Sequence, residues 1–408
     1  MSLCVRSLRR LFQVLKLSKK MVETPIPYGH QYISDEDIQA VVDVLKSDYL
    51  TCGPKIPEFE EAFRQYVDSP AYAVAVSNAT AGLHLAAHAL GVKPGDNVIC
   101  TPLTFASSAN CIRFCGGNVK FCDVDPDTYL MDLDKLEEIL KSSPKGTYKG
   151  IVFVDFAGYP GDMERLRQIA DEYGCWIIED ACHAPGGYFV DSKGDKVYCG
   201  NCKYVDATVF SFHPVKHITT GEGGMVVTNR KDLYESMALN RTHGITHEPD
   251  QMEKVDGRWY YEMKELGFNY RLTDIQAALG ISQLKRARKN VELRRELVKK
   301  YNEAFANVVG IKTPFEAENV YHAYHLYIIQ VENRKELYDY LRTKGIYAQV
   351  LYYPLHLMPY YKQFGNKVGD LPVVEDYYKH CLALPMFPTL TAEQQQYVID
   401  NVIEFVSK

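Results

Sequence analysis

DATVFSFHPVKHITTGEGGMVVTN, residues 206–229, sets two β-rich runs around a loop that carries one lysine, Lys216. The runs are DATVFSF and GGMVVTN, and both are apolar and bounded by turn formers. Working back from them, the same pattern recurs: AYAVAVS, NVICT, NVKFCDV, GIVFVDF and CWIIED read as strands. Helical periodicity fills the gaps over residues 80–90, 106–115, 133–140, 163–173 and 231–240. Strands alternating with helices predict an α/β fold, a mostly parallel sheet covered on both faces. In such sheets ligands gather beyond the carboxyl ends of the strands. Ser77, Asp180 and Ser211 each follow a strand run and can therefore reach one crevice.

Working forward, TDIQAALGISQLKRARKNVELRRELVKKYNEAF reads as a long helix, with Thr273 or Asp274 as its cap and Gly310 beyond its end. Its basic cluster, 285–300, is interleaved with Glu292 and Glu296 and reads as a solvated face. From about Ile311 a smaller α/β unit follows. YHLYIIQV and IYAQVLYY are its strands, and 335–344 and 392–407 its helices. The predicted organisation is a basic extension over 1–20, a large domain over 21–270, a connecting helix over 271–310 and a small C-terminal domain over 311–408.

The 408 residues suit two domains. A hydrophobic share of 46% and a charged share of 24% are those of a globular protein. A net charge of −6 argues against nucleic acid as the main partner. No apolar run reaches the roughly eighteen residues of a membrane span. Eleven cysteines, mostly within apolar runs, read as reduced thiols in a cytoplasmic protein. Cys199 and Cys202, in CGNC, have metal-ligand spacing, but no second pair matches them, so they read as a loop turn and no metal is expected. MSLCVRSLRRLFQVLKLSKK has six basic residues and no acid. Such a segment suits an amphipathic arm or a transit peptide. The simpler reading is a disordered extension, with Met21 opening the working protein.

Lys216 and Asp180 carry the chemistry. Alone, either would mean little, since most lysines are solvated and most strand-end acids cap helices. In this order, at strand ends and beside Gly221, Gly223 and Gly224, they suit pyridoxal 5'-phosphate. Lysine forms the Schiff base, and the carboxylate pairs with the protonated pyridine nitrogen. A lysine depressed by burial can also move a proton, which arginine cannot do at neutral pH. Phosphate needs N–H groups and hydroxyls at a helix start; SNATAGLHLAAHAL offers Ala79 and Thr80, and Ser211 is a further candidate. Phe105, in TPLTFASSAN, can stack on the pyridine or serve as a core residue. His183 can contact the ring hydroxyl or be a buried structural histidine.

SNATAGLHLA, TPLTFASSAN, EDACHA, FSFHPVKHITTGEGG and LGFNYRLTDIQAALGISQL together resemble the DegT/DnrJ/EryC1/StrS sugar aminotransferases, from about Pro27 to the C-terminus. The resemblance implies the fold type I architecture of pyridoxal phosphate transferases. It places the Schiff base on Lys216, the pyridine partner on Asp180, ring stacking on Phe105, and phosphate contacts on Ala79, Thr80 and Ser211. Asn269, in GFNYR, matches an asparagine that reaches the neighbouring subunit's phosphate, which implies a homodimer with shared sites. Tyr28, the segment Asp48, Tyr49, Leu50 and Thr51, and the segment Tyr352, Tyr353, Pro354 and Leu355 match sugar-nucleotide contacts, as do Ala79, Ser211 and Asn269. HPVK, NRTHGIT and RWYYEMKELGFNYRLTDIQAALG resemble the pseudaminic acid branch in particular. That implies transfer of an amino group from L-glutamate to C4 of a UDP-linked 4-keto-6-deoxy-N-acetylhexosamine.

Three other readings remain: the same reaction on another nucleotide-linked 3- or 4-keto sugar, the family's dehydratases, and a silent regulatory or assembly protein. The dehydratases carry histidine at the lysine position, so Lys216 argues against them. The intact Lys216 and Asp180 argue against a silent protein. A kinase or dehydrogenase is disfavoured, because neither GxxxxGK nor GxGxxG follows a strand.

Overall fold

In a computed structural model, which describes residues 25–68 and 72–408, all seven β-rich runs join one sheet. The basic extension over 1–20 lies outside the described residues. The strands are β1 (Tyr72–Val76), β2 (Asn97–Cys100), β3 (Asn118–Phe121), β4 (Tyr148–Val154), β5 (Trp176–Asp180), β6 (Ala207–Ser211) and β7 (Gly224–Thr228). Their order is β1-β7-β6-β5-β4-β2-β3. Only β7 runs antiparallel to its neighbours.

Alternation along each strand feeds two buried faces, as a sheet covered on both sides requires. Ile99, Ile151 and Ile177 enter one apolar cluster with Leu136, Leu166 and Ile169. Val98, Val152 and Ile178 enter the other with Leu83, Leu85 and Ile112. The helices predicted between the strands are present, each within a residue or so of its expected span. Two of them matter for the crevice: α1 (Ala79–Ala89) and α2 (Ser107–Phe114).

The long helix, α3, spans Asp274–Phe305. Thr273 is its cap, in a reciprocal capping box with Gln276. Asp274 instead ties α3 to an earlier segment. Its carboxylate accepts from the Gly53 and Lys55 N–H groups, at the start of the Lys55–Tyr66 helix. That helix and Asp35–Leu45 precede the first predicted strand and pack against α3.

The solvated-face reading of 285–300 holds for Lys285, Lys289 and Lys299 but not for every cation. Arg286 pairs with buried Asp37, Arg295 pairs with Glu316, and Arg294 is fully buried. Sequence charge alone does not separate these, because the partners come from distant segments.

The C-terminal part has its own core, in which Tyr327, Ile329, Leu337, Leu341, Val398 and Val402 pack with Val298, Tyr301 and Phe305 of α3. Tyr327–Gln330 pairs with Cys381–Leu384. IYAQVLYY is not one strand. Only Ile346–Tyr347 pairs, in parallel with Ile26–Pro27. Beyond a lone bridge from Gln349 to Ala383, the chain leaves the ladder and carries Tyr352 toward the sheet's carboxyl edge.

Candidate active site

Asp180 ends β5 and is 5% exposed. The Ser108 hydroxyl donates to its Oδ2 at 2.6 Å, and the Cys182 N–H donates to Oδ1 at 3.2 Å. Ser108 spends its proton on Asp180, so the Thr104 hydroxyl, 2.7 Å away, donates to Ser108. Among the described residues no cationic side chain forms a salt bridge with Asp180. A buried, anchored carboxylate with no cationic partner of its own suits a cationic ring nitrogen.

His183, three residues on, is buried between two partners. The Ala157 N–H donates to its Nδ1 at 3.2 Å, so Nε2 carries the ring proton. Nε2 lies 3.4 Å from the Tyr352 hydroxyl. Burial, followed by the nearby Lys216 charge, holds this imidazole well below its usual pKa and keeps it neutral. It presents a neutral N–H donor, as contact with a ring oxygen requires.

Lys216 lies in the loop between β6 and β7. Burial lowers its amine from 10.5 to about 8, against the opposing pull of Cys182 and Asp180. Its Nζ lies 3.5 Å from His325 Nε2. The His325 ring lies 4.4 Å from that of His183, centroid to centroid. Phe105, 63% exposed, stands edge-on to Tyr352 at 6.4 Å. Burial raises the Tyr352 phenol, and neighbouring Tyr28 adds to the effect. Phe105, Tyr352, His183, His325 and Lys216 thus follow one another by contact, and Asp180 joins them through Ser108 and the EDACHA turn.

A second cluster forms where α1 begins. Asn78 caps the helix by accepting from the Ala81 N–H, which leaves the Ala79 and Thr80 N–H groups at the open end. The Thr80 hydroxyl bonds to Ser107 at 2.6 Å. Strand register puts Gly224 between Val76 and Ser211. A Cβ at Gly224 would come within 2.7 Å of the Ala79 nitrogen, so only glycine lets β7 lie against the helix start. Ser211 is therefore held beside the N-terminus of α1, and the helix dipole and free N–H groups there suit a phosphate.

Other predicted positions lie apart. Tyr353 packs edge-on against Tyr378. Pro354 and Leu355 are buried, and Leu355 joins the core beneath α2 while its N–H donates to the Pro102 carbonyl. Asp48, Tyr49, Leu50 and Thr51 are exposed in a loop bridged to Thr273. Asn269 is exposed and bridges Thr242. Gly29, next to Tyr28, lies against Val215 beside the lysine. Cys199 and Cys202 are buried thiols in the core around Phe63 and Phe210.

Ser108 and His325, which contact Asp180 and Lys216, were not singled out by sequence reading. Ser108 could have been, since it lies three residues after Phe105 in the same motif. His325 could not, because it is 109 residues from Lys216 and no local pattern links them.

The donors present fit pyridoxal 5'-phosphate. An anchored carboxylate, a lysine of depressed pKa, an exposed aromatic ring and an open helix start line one edge of one sheet.

The comparisons agree. The model of the DegT/DnrJ/EryC1/StrS aminotransferase family matches residues 31–403. The chain is 36% identical to the UDP-4-amino-4,6-dideoxy-N-acetyl-beta-L-altrosamine transaminase of Campylobacter jejuni, over 94% of this chain and 98% of that one. It is 33% identical to the GDP-perosamine synthase of Escherichia coli O157:H7, over 94% and 99%. Among solved structures it resembles Helicobacter pylori PseC, an aminotransferase involved in the biosynthesis of pseudoaminic acid. The TM-score is 0.84 at 30% identity, covering 94% of this chain and 100% of that one. The chain therefore belongs to the DegT/DnrJ/EryC1/StrS aminotransferase family and is a pyridoxal phosphate-dependent sugar aminotransferase.

Proposed function

We propose that the chain moves the amino group of L-glutamate to C4 of UDP-2-acetamido-2,6-dideoxy-β-L-arabino-hexos-4-ulose. The product is UDP-4-amino-4,6-dideoxy-N-acetyl-β-L-altrosamine. The carrying observation is the 36% identity, over nearly the full length of both chains, to the Campylobacter transaminase of that name. RWYYEMKELGFNYR, in the segment that leads into α3, supports the same branch.

When bound, pyridoxal 5'-phosphate supplies an aldehyde that exchanges amines and a ring that withdraws electrons. The protein does the rest. Asp180, fixed by Ser108, would hold the ring nitrogen in its cationic form. His183 would offer Nε2–H to the ring oxygen, and Phe105 would pack against the ring. The Ala79 and Thr80 N–H groups with Ser211 would hold the phosphate. Lys216 would be the covalent anchor; once free and neutral, its Nζ would take the proton from the amine-bearing substrate carbon and give it up again on the same face. Tyr28, Tyr352 and the 48–51 loop are proposed sugar-nucleotide contacts. The exposure of Asn269 suits a homodimer in which this residue reaches the phosphate of the other subunit.

A second reading has its own support: the similarity to GDP-perosamine synthase favours the same chemistry on another nucleotide-linked deoxysugar. A panel of UDP-, GDP- and dTDP-keto sugars with L-glutamate, scored by product mass and NMR, decides between them. Amination at C4 of the UDP-linked arabino-hexosulose supports the first reading. Exclusive turnover of another sugar, or a new amine at C3, rejects it.

A further inference from the structure

Outside the residues given roles above, His325 is a buried polar side chain that faces Lys216, on a backbone tied down from several sides. It rides on residues 322–326, a segment from the C-terminal part that is pinned into the sheet's carboxyl edge. The Ala323 N–H donates to the Gly158 carbonyl at 2.8 Å, and the Leu326 N–H donates to that of Ala157 at 3.2 Å. His217, the residue after the lysine, donates Nε2–H to the Ala323 carbonyl at 2.9 Å. Arg294, buried in α3, donates to the carbonyls of Tyr324 and His325 at 3.3 and 3.2 Å. Tyr324 is held at φ +48°, in the left-handed region that a bulky residue rarely enters. Gly158 allows the approach: a Cβ there would meet the His183 carbonyl oxygen at 2.7 Å and the His325 nitrogen at 2.9 Å. Five hydrogen bonds and a left-handed residue therefore fix the backbone at His325, and the side chain so placed ends 3.5 Å from Lys216 Nζ. This reading rests on Lys216 as the cofactor-linking residue.

We propose that His325 is a positioning residue for Lys216: its neutral Nε2 accepts a hydrogen bond from the lysine amine and keeps the released amine aimed into the crevice. The surroundings agree. The groups facing the pair are His183, His217, Arg294, Cys182 and Asp180. Burial, then the Lys216 charge, keeps His325 well below its usual pKa, so it serves as an acceptor and not as a competing cation.

The test is the rate at which full-length apoprotein captures pyridoxal 5'-phosphate, followed by protein-bound absorption across pH. Wild type is compared with His325→Leu and His325→Gln, so the free cofactor's own ionisations cancel. The acceptor favours the ammonium form, and its loss lowers the amine's pKa. For His325→Leu the midpoint of the pH profile should fall below the wild-type value by about one unit. The limiting rate at high pH should fall about tenfold, because the amine is no longer oriented. His325→Gln, whose amide oxygen can accept, should recover both to within about threefold. A folded His325→Leu with wild-type midpoint and rate overturns the proposal, as does a His325→Gln that recovers neither. If His325→Leu does not fold, His325→Asn, whose shorter side chain falls short of the amine, replaces it. An unchanged rate and midpoint in that variant also overturn the proposal. Failure of wild type to capture the cofactor at all would instead reject Lys216 as the linking residue.

Discussion

At the Asp180 end of the crevice, a carboxylate is gripped by a hydroxyl at 2.6 Å and a backbone N–H at 3.2 Å, and a second hydroxyl backs the first. At the Lys216 end, the amine of a partly exposed residue is buried among imidazoles and has His325 Nε2 at 3.5 Å. The difference follows from the task that the proposed function gives each group. A fixed charge that sets the protonation of a ring nitrogen has to stay put, and charge-assisted hydrogen bonds hold it. An amine that must leave its bond, turn and carry a proton has to be loosely held and easily neutralised. Burial beside neutral histidines achieves that where a carboxylate partner would not.

The largest expected effect removes the mobile end. Lys216→Ala should lower transamination by about a thousandfold or more and abolish the borohydride-sensitive yellow absorption of the bound cofactor. A persistent band would break the comparison at once. Asp180→Asn keeps the shape but removes the fixed charge. It should cost about a hundredfold in kcat, with the bound cofactor's spectrum shifted to that of an unprotonated ring nitrogen.

Ser108→Ala sharpens the contrast, since it loosens the fixed end without discharging it. Loss of one charge-assisted bond costs about 1–3 kcal/mol of stability, so the melting temperature should fall by a few degrees and kcat about tenfold. Equal kinetics in Ser108→Ala and wild type would show that Asp180 needs no second anchor. Gly224→Ala probes the phosphate end instead. Its new Cβ meets the Ala79 nitrogen, so stability should fall by about 1–3 kcal/mol and cofactor affinity with it. The smallest effect is in pH. Because burial lowers the Lys216 amine to about 8, the neutral fraction, and with it the rate of cofactor capture, should rise as pH passes through about 8. A rise delayed to about 10.5 would mean an amine as well hydrated as an ordinary lysine.

Much of the fixed end was legible in the chain. CWIIED reads as a strand ending in an acid, and TPLTFASSAN, which carries Phe105 and Ser108, reads as the turn and helix start that follow the strand NVICT. The pattern is local because a parallel sheet delivers the ends of its strands to one edge. The mobile end was legible only in part. Lys216 stands out beside its glycines, but the histidine facing it comes from the C-terminal part. IYAQVLYY shows the same limit: its composition is that of a strand, yet packing takes Tyr352 out of the ladder toward His183. The basic face of α3 repeats the lesson, since Arg286 and Arg294 are claimed by residues far off in sequence.

By itself the sequence determined the alternating α/β order, the strand-end position of Asp180, the loop position of Lys216 between two strands, and the open start of α1. These follow from side-chain periodicity, capping and turn chemistry, which act over a few residues. Only the tertiary structure decided which polar groups hold Asp180, which imidazole faces Lys216, and which arginines are buried. Those contacts join segments that only the folded chain brings together, through burial and hydrogen bonds that no short stretch of sequence encodes.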